Sequence, residues 1–266
     1  MIYCGSGGNG YTSRTAPSYK GWNGTKKMSE NGILHPPCQR LFDPPEPPGV
    51  DYPVRFVQIH WDRLIAKRHL VLETTDLHQA YLLKPEVVKL LDAQKNTTHR
   101  LIMDLLWGTG GRVSEILGLK PSSFIEDGYG FGVILRTLKQ GRGRPTKRSL
   151  HRSPKRYIPI EDPLLQDRVQ SYLWSGKFKK DERIFKMARQ TVNRHINDLV
   201  VRMGGAPFPI SAHTFRHSFA IHLLLHGLPL KYVSQLMGHR SIESTEIYTN
   251  VLTVDGGHFL KGVDFH

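Results

Sequence analysis

After Pro163 the apolar residues recur at helical spacing to the end of the chain, and the pattern is interrupted only near 204–209 and 227–229. Shorter stretches upstream carry the same period. In 84–93, Pro85 stands near a first helical position and Val87, Leu90 and Leu91 share one face. A second helix is expected over 97–107. It would bury Leu101, Ile102, Leu105 and Leu106, and Gly108, Gly110 and Gly111 would break it. A third opens at Arg112 and closes at Gly118, with Pro121 beyond. Strand signals are confined to one region: 131–138 after the Asp127-Gly128 turn, 156–160, and 123–126 as a candidate third strand. The expected class is mostly α with a small antiparallel β-sheet (α+β).

The front of the chain reads differently. Residues 1–50 hold 8 Gly and 7 Pro, a low-complexity composition. The expected organisation is a disordered Gly/Pro-rich arm over 1–51, a short N-terminal segment over 52–81 with a strand and a short helix, and one globular domain over 82–266. The only cysteines, Cys4 and Cys38, lie in the arm, which argues against a disulfide framework or a cysteine-based zinc site. No stretch approaches the ~18 apolar residues of a membrane span. The N-terminus has no secretory pattern, so a cytoplasmic address is expected.

Charge narrows the partner. The 266 residues carry 37 Lys and Arg against 23 Asp and Glu, a net +14, which points to a polyanion. The excess is uneven, at +2 over 1–80 and +12 over 81–266. Between the two main strand signals, residues 136–156 hold nine Lys or Arg and no acid. A solvated loop is one reading of such a run. Phosphate contact through Arg142, Arg144, Lys147 and Arg148 is the favoured one, because the run sits inside the basic domain.

Three fragments near the C-terminus carry chemistry: His213-Thr214-Phe215-Arg216-His217, Gly238-His239, and Tyr248. His213 and Arg216 are three apart and share a helix face, as do Arg112 and Glu115 upstream. Arg112 follows the glycine turn, where free amides and a helix start suit an anion. Tyrosine is a poor nucleophile at neutral pH because its pKa is about 10, so it needs a base and a cationic pocket. Arginine suits a phosphodiester that gains charge during attack, being planar, bidentate and always charged. Such chemistry requires no metal and no cofactor.

Order and spacing add a resemblance. The text from Gly108 to Leu119 resembles the first arginine box of the tyrosine recombinase (phage-integrase) family. His213-x-x-Arg216-His217-Ser218-Phe219-Ala220-x-His222-Leu223-Leu224 resembles its second box, and the text from Met237 to Thr249 its nucleophile box. The resemblance implies the tyrosine recombinase catalytic-domain fold and a role for each matching residue. Arg112 and Arg216 grip the scissile phosphate, His213 takes the tyrosine proton, His239 is a third phosphate ligand, and Tyr248 is the nucleophile. Lys139 best matches the hairpin lysine that protonates the leaving oxygen, with Arg142, Arg144 and Lys147 close enough for the register to slip. Glu115 matches a supporting carboxylate. The resemblance further implies a 3′-phosphotyrosyl intermediate on double-stranded DNA, a homotetramer on two sites, and accessory DNA-bending proteins. Most family members carry a helical DNA-binding domain before the catalytic one, and 1–81 is short for it, so either 52–81 forms a reduced version or the catalytic domain binds with help from accessory proteins. The whole text is similar to plasmid-borne resolvases of the F-plasmid type, which reduce plasmid multimers to monomers. A topoisomerase IB-like strand swivelase, a DNA-binding regulator that lost catalysis and a basic RNA-binding protein are the competing readings.

Overall fold

The computed structural model describes residues 59–74, 80–128, 130–137 and 154–255. The chain divides into two units, Met1–Val54 and Arg55–His266, and every described residue belongs to the second. The expected arm, the basic turn beyond Thr137 and the tail after Asp255 lie outside the described residues.

Four helices come first: α1 (Trp61–Thr74), α2 (Lys84–Ala93), α3 (Thr97–Thr109) and the single turn α4 (Val113–Ile116). Strands β1 (Phe124–Asp127), β2 (Gly130–Arg136) and β3 (Lys155–Pro159) follow. The rest is helical: α5 (Pro163–Gly176), α6 (Arg189–Arg202), α7 (Ala212–Leu225), α8 (Leu230–Met237), α9 (Glu243–Glu246) and α10 (Asn250–Asp255). A 3₁₀ turn, Ile247–Thr249, joins α9 to α10 and carries Tyr248. The architecture is mostly α with one small antiparallel sheet, as the sequence implied. No helix among the described residues is long and apolar enough to cross a membrane.

The sheet runs β1-β2-β3, both pairs antiparallel, with Val133 opposite Phe124 on one side and Ile158 on the other. Alternation along β2 buries Phe131, Val133 and Leu135 against the helices. Within 52–81 the described residues form α1 and hold no strand.

One boundary differs for a physical reason. Gly108 does not break α3; the helix continues to Thr109 and stops at Gly110, which adopts the left-handed conformation at φ 59°. A Cβ on Gly108 would lie 2.6 Å from Leu165 Cδ2, so this glycine lets α5 approach α3. Gly110 is needed twice over. Its φ is positive, and a side chain there would collide with the Phe219 ring.

The core has two parts that meet at α7. One gathers α2, α3, the inner face of the sheet, α5, α6 and Phe215. The other gathers Leu64 of α1, Tyr81, Leu83, Phe219 to Leu225 of α7, Val233 and Met237 of α8, Tyr248 and Val251. Each fully buried side chain of this kind contributes about 1.5–3 kcal/mol, so α7 is held from both sides. Its start is also pinned. Ser211 caps it, accepting from the amides of His213 and Thr214, and the Thr214 hydroxyl accepts from the Ser211 amide. The Ala212 amide donates to Asn193 of α6. The helix that carries His213, Arg216 and His217 is therefore fixed in both position and rotation.

Candidate active site

Arg112 occupies the N-cap of α4, and Glu115 is the third residue of that turn. The Arg112 amide donates to Glu115 Oε2 at 2.8 Å, and its Nη1 reaches Oε1 at 3.1 Å. The Glu115 carboxylate thus caps its own helix. Its side chain has no exposed surface, and burial alone would raise its pKa. Hydrogen bonds and charge from Arg156, then from Arg112, outweigh burial and hold the carboxyl below its ordinary range.

Arg216 is only 2 % exposed. Its Nη1 donates to the Gly110 carbonyl at 2.5 Å and its Nη2 to the Met237 carbonyl at 2.6 Å. The fork therefore joins the glycine turn after α3 to the end of α8. Burial, and then the charge of Arg112, push its pKa down to about 9. It remains protonated at pH 7.

Gly238 ends α8 in the left-handed conformation at φ 64°, which turns the chain to present His239. Arg112 Nη2 lies 3.4 Å from the Gly238 carbonyl. His239 Nδ1 is 2.7 Å from the Thr245 hydroxyl, an interaction that orients the ring. Burial, then Arg216 and Arg112, lower its pKa to about 4. His213 is lowered by burial and by the same two arginines. Both rings are thus neutral at pH 7 beside fixed positive charge, which an arriving phosphate would offset.

Tyr248 is 2 % exposed. Its hydroxyl lies 2.5 Å from Nδ1 of His217, and His213 meets His217 edge-on with ring centroids 4.2 Å apart. The imidazole hydrogen-bonded to the tyrosine is therefore that of His217, and His213, expected to take its proton, packs its ring against His217. Burial raises the Tyr248 pKa to about 12, while Arg216 and Arg112 pull it back. His217 is held near 3 by burial and by its cationic and imidazole neighbours.

The structure thus brings together Arg112, Glu115, His213, Arg216, His239 and Tyr248. Lys139, Arg142, Arg144, Lys147 and Arg148 lie outside the described residues. The site contains two further groups, His217 and Arg156. His217 was quoted in the second box without a role, although its i+4 spacing from His213 puts both rings on one face. Arg156 was counted with the phosphate-contacting run. Instead, its side chain is 10 % exposed and its fork binds Glu115, at 3.1 Å to Oε1 and 2.6 Å to Oε2. Among the described residues no cluster of three or more His, Cys, Asp or Glu could hold a metal ion.

Residues 80–254 match the phage integrase family. The chain belongs to that family. Its members are tyrosine recombinases, DNA breaking-and-rejoining enzymes, and this chain is a site-specific recombinase of that kind. A resolvase of Escherichia coli strain K12 is 31 % identical over 255 residues, covering 88 % of this chain and 91 % of the relative. The tyrosine recombinase XerD of Brucella suis is 32 % identical over 151 residues, 57 % of this chain and 47 % of XerD. The solved XerH recombinase, bound to its difH substrate in a pre-cleavage complex, superposes at a TM-score of 0.53 and 19 % identity. That alignment covers 67 % of this recombinase and 52 % of the XerH chain, and it supports the fold. The chain thus spans about half of XerD and XerH but nearly all of the E. coli resolvase.

Proposed function

We propose that this recombinase cleaves duplex DNA with Tyr248 as the nucleophile, inside a phosphate pocket made by Arg112, Arg216 and His239. The observation that carries the reading is the Tyr248 hydroxyl held 2.5 Å from a neutral imidazole, with Arg216 and Arg112 both acting on its charge. A tyrosine so placed has a hydrogen-bond acceptor, whose basicity rises once a bound phosphate offsets the neighbouring arginine charge, and cations for the charge that develops on the phosphate. Attack forms the tyrosyl O–P bond and expels the 5′ oxygen, leaving a 3′-phosphotyrosyl link and a 5′-hydroxyl. The tyrosine proton passes to the His217–His213 pair, and Lys139 supplies the proton that the leaving oxygen takes up. Glu115 steadies Arg112. The bond energy stays in the phosphotyrosyl link, so rejoining needs no cofactor.

Double-stranded DNA is the partner, in keeping with the +14 net charge and with the DNA-bound state of XerH. Arg142, Arg144, Lys147 and Arg148 would hold phosphates flanking the cleaved one. A homotetramer on two sites, with accessory DNA-bending proteins, would exchange strands. The near full-length match to the E. coli resolvase supports resolution of plasmid multimers as the task, which would be carried out in the cytoplasm.

The test is covalent trapping on nicked duplexes tiled across the DNA that flanks the coding sequence. Wild-type protein should leave an adduct on a denaturing gel, and Tyr248→Phe should bind the same duplexes without forming one. An adduct persisting in Tyr248→Phe would remove Tyr248 from the mechanism.

A further inference from the structure

Arg156 begins as one of nine cations in a basic stretch, but its surroundings set it apart from a DNA-contacting arginine. Nε donates to the Leu236 carbonyl at 2.7 Å, Nη1 to Glu115 Oε1 and to the Thr137 hydroxyl, each at 3.1 Å, and Nη2 to Glu115 Oε2 at 2.6 Å. Four of its five N–H donors are used within the protein. The four acceptors come from α4, the end of β2 and the end of α8. Gly238 records the same closeness, since a Cβ there would lie 2.8 Å from Arg156 Nη1.

Arg112 and Arg156 share one acceptor, Glu115 Oε1, each at 3.1 Å. The Glu115 side chain is fully buried, and a buried carboxylate draws in whatever cation is within reach. With Arg156 in place, that carboxylate is saturated from below, and Arg112, whose side chain is 32 % exposed, turns only one guanidinium nitrogen toward it, beside its backbone amide on Oε2. Without Arg156, the Arg112 fork would close on both oxygens of Glu115, the preferred bidentate geometry. Its donors would then leave the phosphate.

We infer that Arg156 is a positioning residue for strand cleavage: it occupies Glu115 so that Arg112 keeps its donors for the scissile phosphate, and it ties the Leu236 carbonyl, at the end of α8 that leads into Gly238 and His239, to the same carboxylate. The inference rests on the reading of Arg112 as a phosphate ligand. It predicts an epistasis that a general packing role does not. Arg156→Gln should slow adduct formation about 30-fold, while DNA affinity changes less than about threefold. Adding Glu115→Gln removes the charge that captures Arg112 and keeps an oxygen for the α4 cap. The double variant should regain about tenfold of the lost rate.

The experiment measures adduct formation on a nicked duplex that traps the wild type, for full-length wild type, R156Q, E115Q, E115Q/R156Q and R112Q, with gel-shift affinities and thermal melts alongside. If R156Q fails to fold, R156K takes its place in the cycle, because lysine keeps the charge but lacks the fork that reaches both oxygens. The inference is overturned by an Arg156 variant that cleaves at the wild-type rate, by one whose affinity falls as far as its rate, or by a double variant no faster than the single. An R112Q protein that cleaves normally would instead overturn the phosphate reading on which the inference rests.

Discussion

The substitution that asks most of this site is Arg216→Lys, because it keeps the charge and removes the fork. Arg216 holds the Gly110 carbonyl with one terminal nitrogen and the Met237 carbonyl with the other. The lysine ammonium is a single nitrogen and reaches one of them. The second carbonyl is left buried without a donor, which costs about 1–3 kcal/mol. For a unit spanning Arg55–His266, each kcal/mol lowers the melting temperature by about 2–4 °C, so a fall of about 6 °C is expected. Chemistry should suffer separately. Losing one preorganised donor to the developing charge costs about a hundredfold or more in rate. Calorimetry gives the first quantity, and adduct formation at 20 °C, chosen to lie well below the melt, gives the second. An R216K protein that melts with the wild type would refute the two-carbonyl bridge. One that melts lower yet cleaves normally would refute the claim that the fork serves the phosphate.

The neutral state of His217 makes stability depend on pH. Its native pKa lies near 3, below the unfolded value of about 6.5, so between those values the unfolded chain binds the extra proton. Stability is complete above about pH 6.5 and falls by up to about 1.4 kcal/mol per unit as pH drops toward 3. Urea melts at pH 7 and pH 5 should show the loss, and His217→Asn should make it smaller without abolishing it, because His239 and His222 are lowered as well. Gly110→Ala should destabilise by more than about 1 kcal/mol, since φ is positive and the new methyl meets the Phe219 ring, and it should slow cleavage by displacing the carbonyl that Arg216 holds. Filter binding across a salt series checks both the polyanion reading and the basic turn. The log–log slope should be steep, and replacing Arg142, Arg144, Lys147 and Arg148 by Gln should make it shallower by about one per lost phosphate contact. An unchanged slope would take the turn off the DNA.

Local features of this fold were legible because local rules decide them. Pro85 and the run Val87, Leu90, Leu91 mark α2 with both of its ends, and the Asp127-Gly128 turn marks the β1–β2 hairpin. Gly108 differs from expectation because a glycine in a helix looks the same in sequence whether it ends the helix or makes room for a neighbour. Only the Leu165 side chain, brought in by α5, distinguishes the two.

The same limit explains what was missed at the site. The spacing of His213, Arg216 and His217 puts all three on adjoining faces of α7, but it does not say which of them a tyrosine 31 residues beyond His217 will meet. That choice is made by packing. Val251, Val233 and Met237 seat the 3₁₀ turn against the second half of α7, and Tyr248 then points at His217. Arg156 escapes notice in the sequence for the complementary reason. In sequence it is one more cation in an acid-free stretch, and its partner Glu115 lies 41 residues away. A buried carboxylate has to be paired wherever its partner comes from. Glu115 at the N-terminal turn of α4 is fully buried and its Arg112 partner is a third exposed, so a buried cation completes the pairing. The start of β3, next to Gly238, where a side chain is excluded, is where that cation sits.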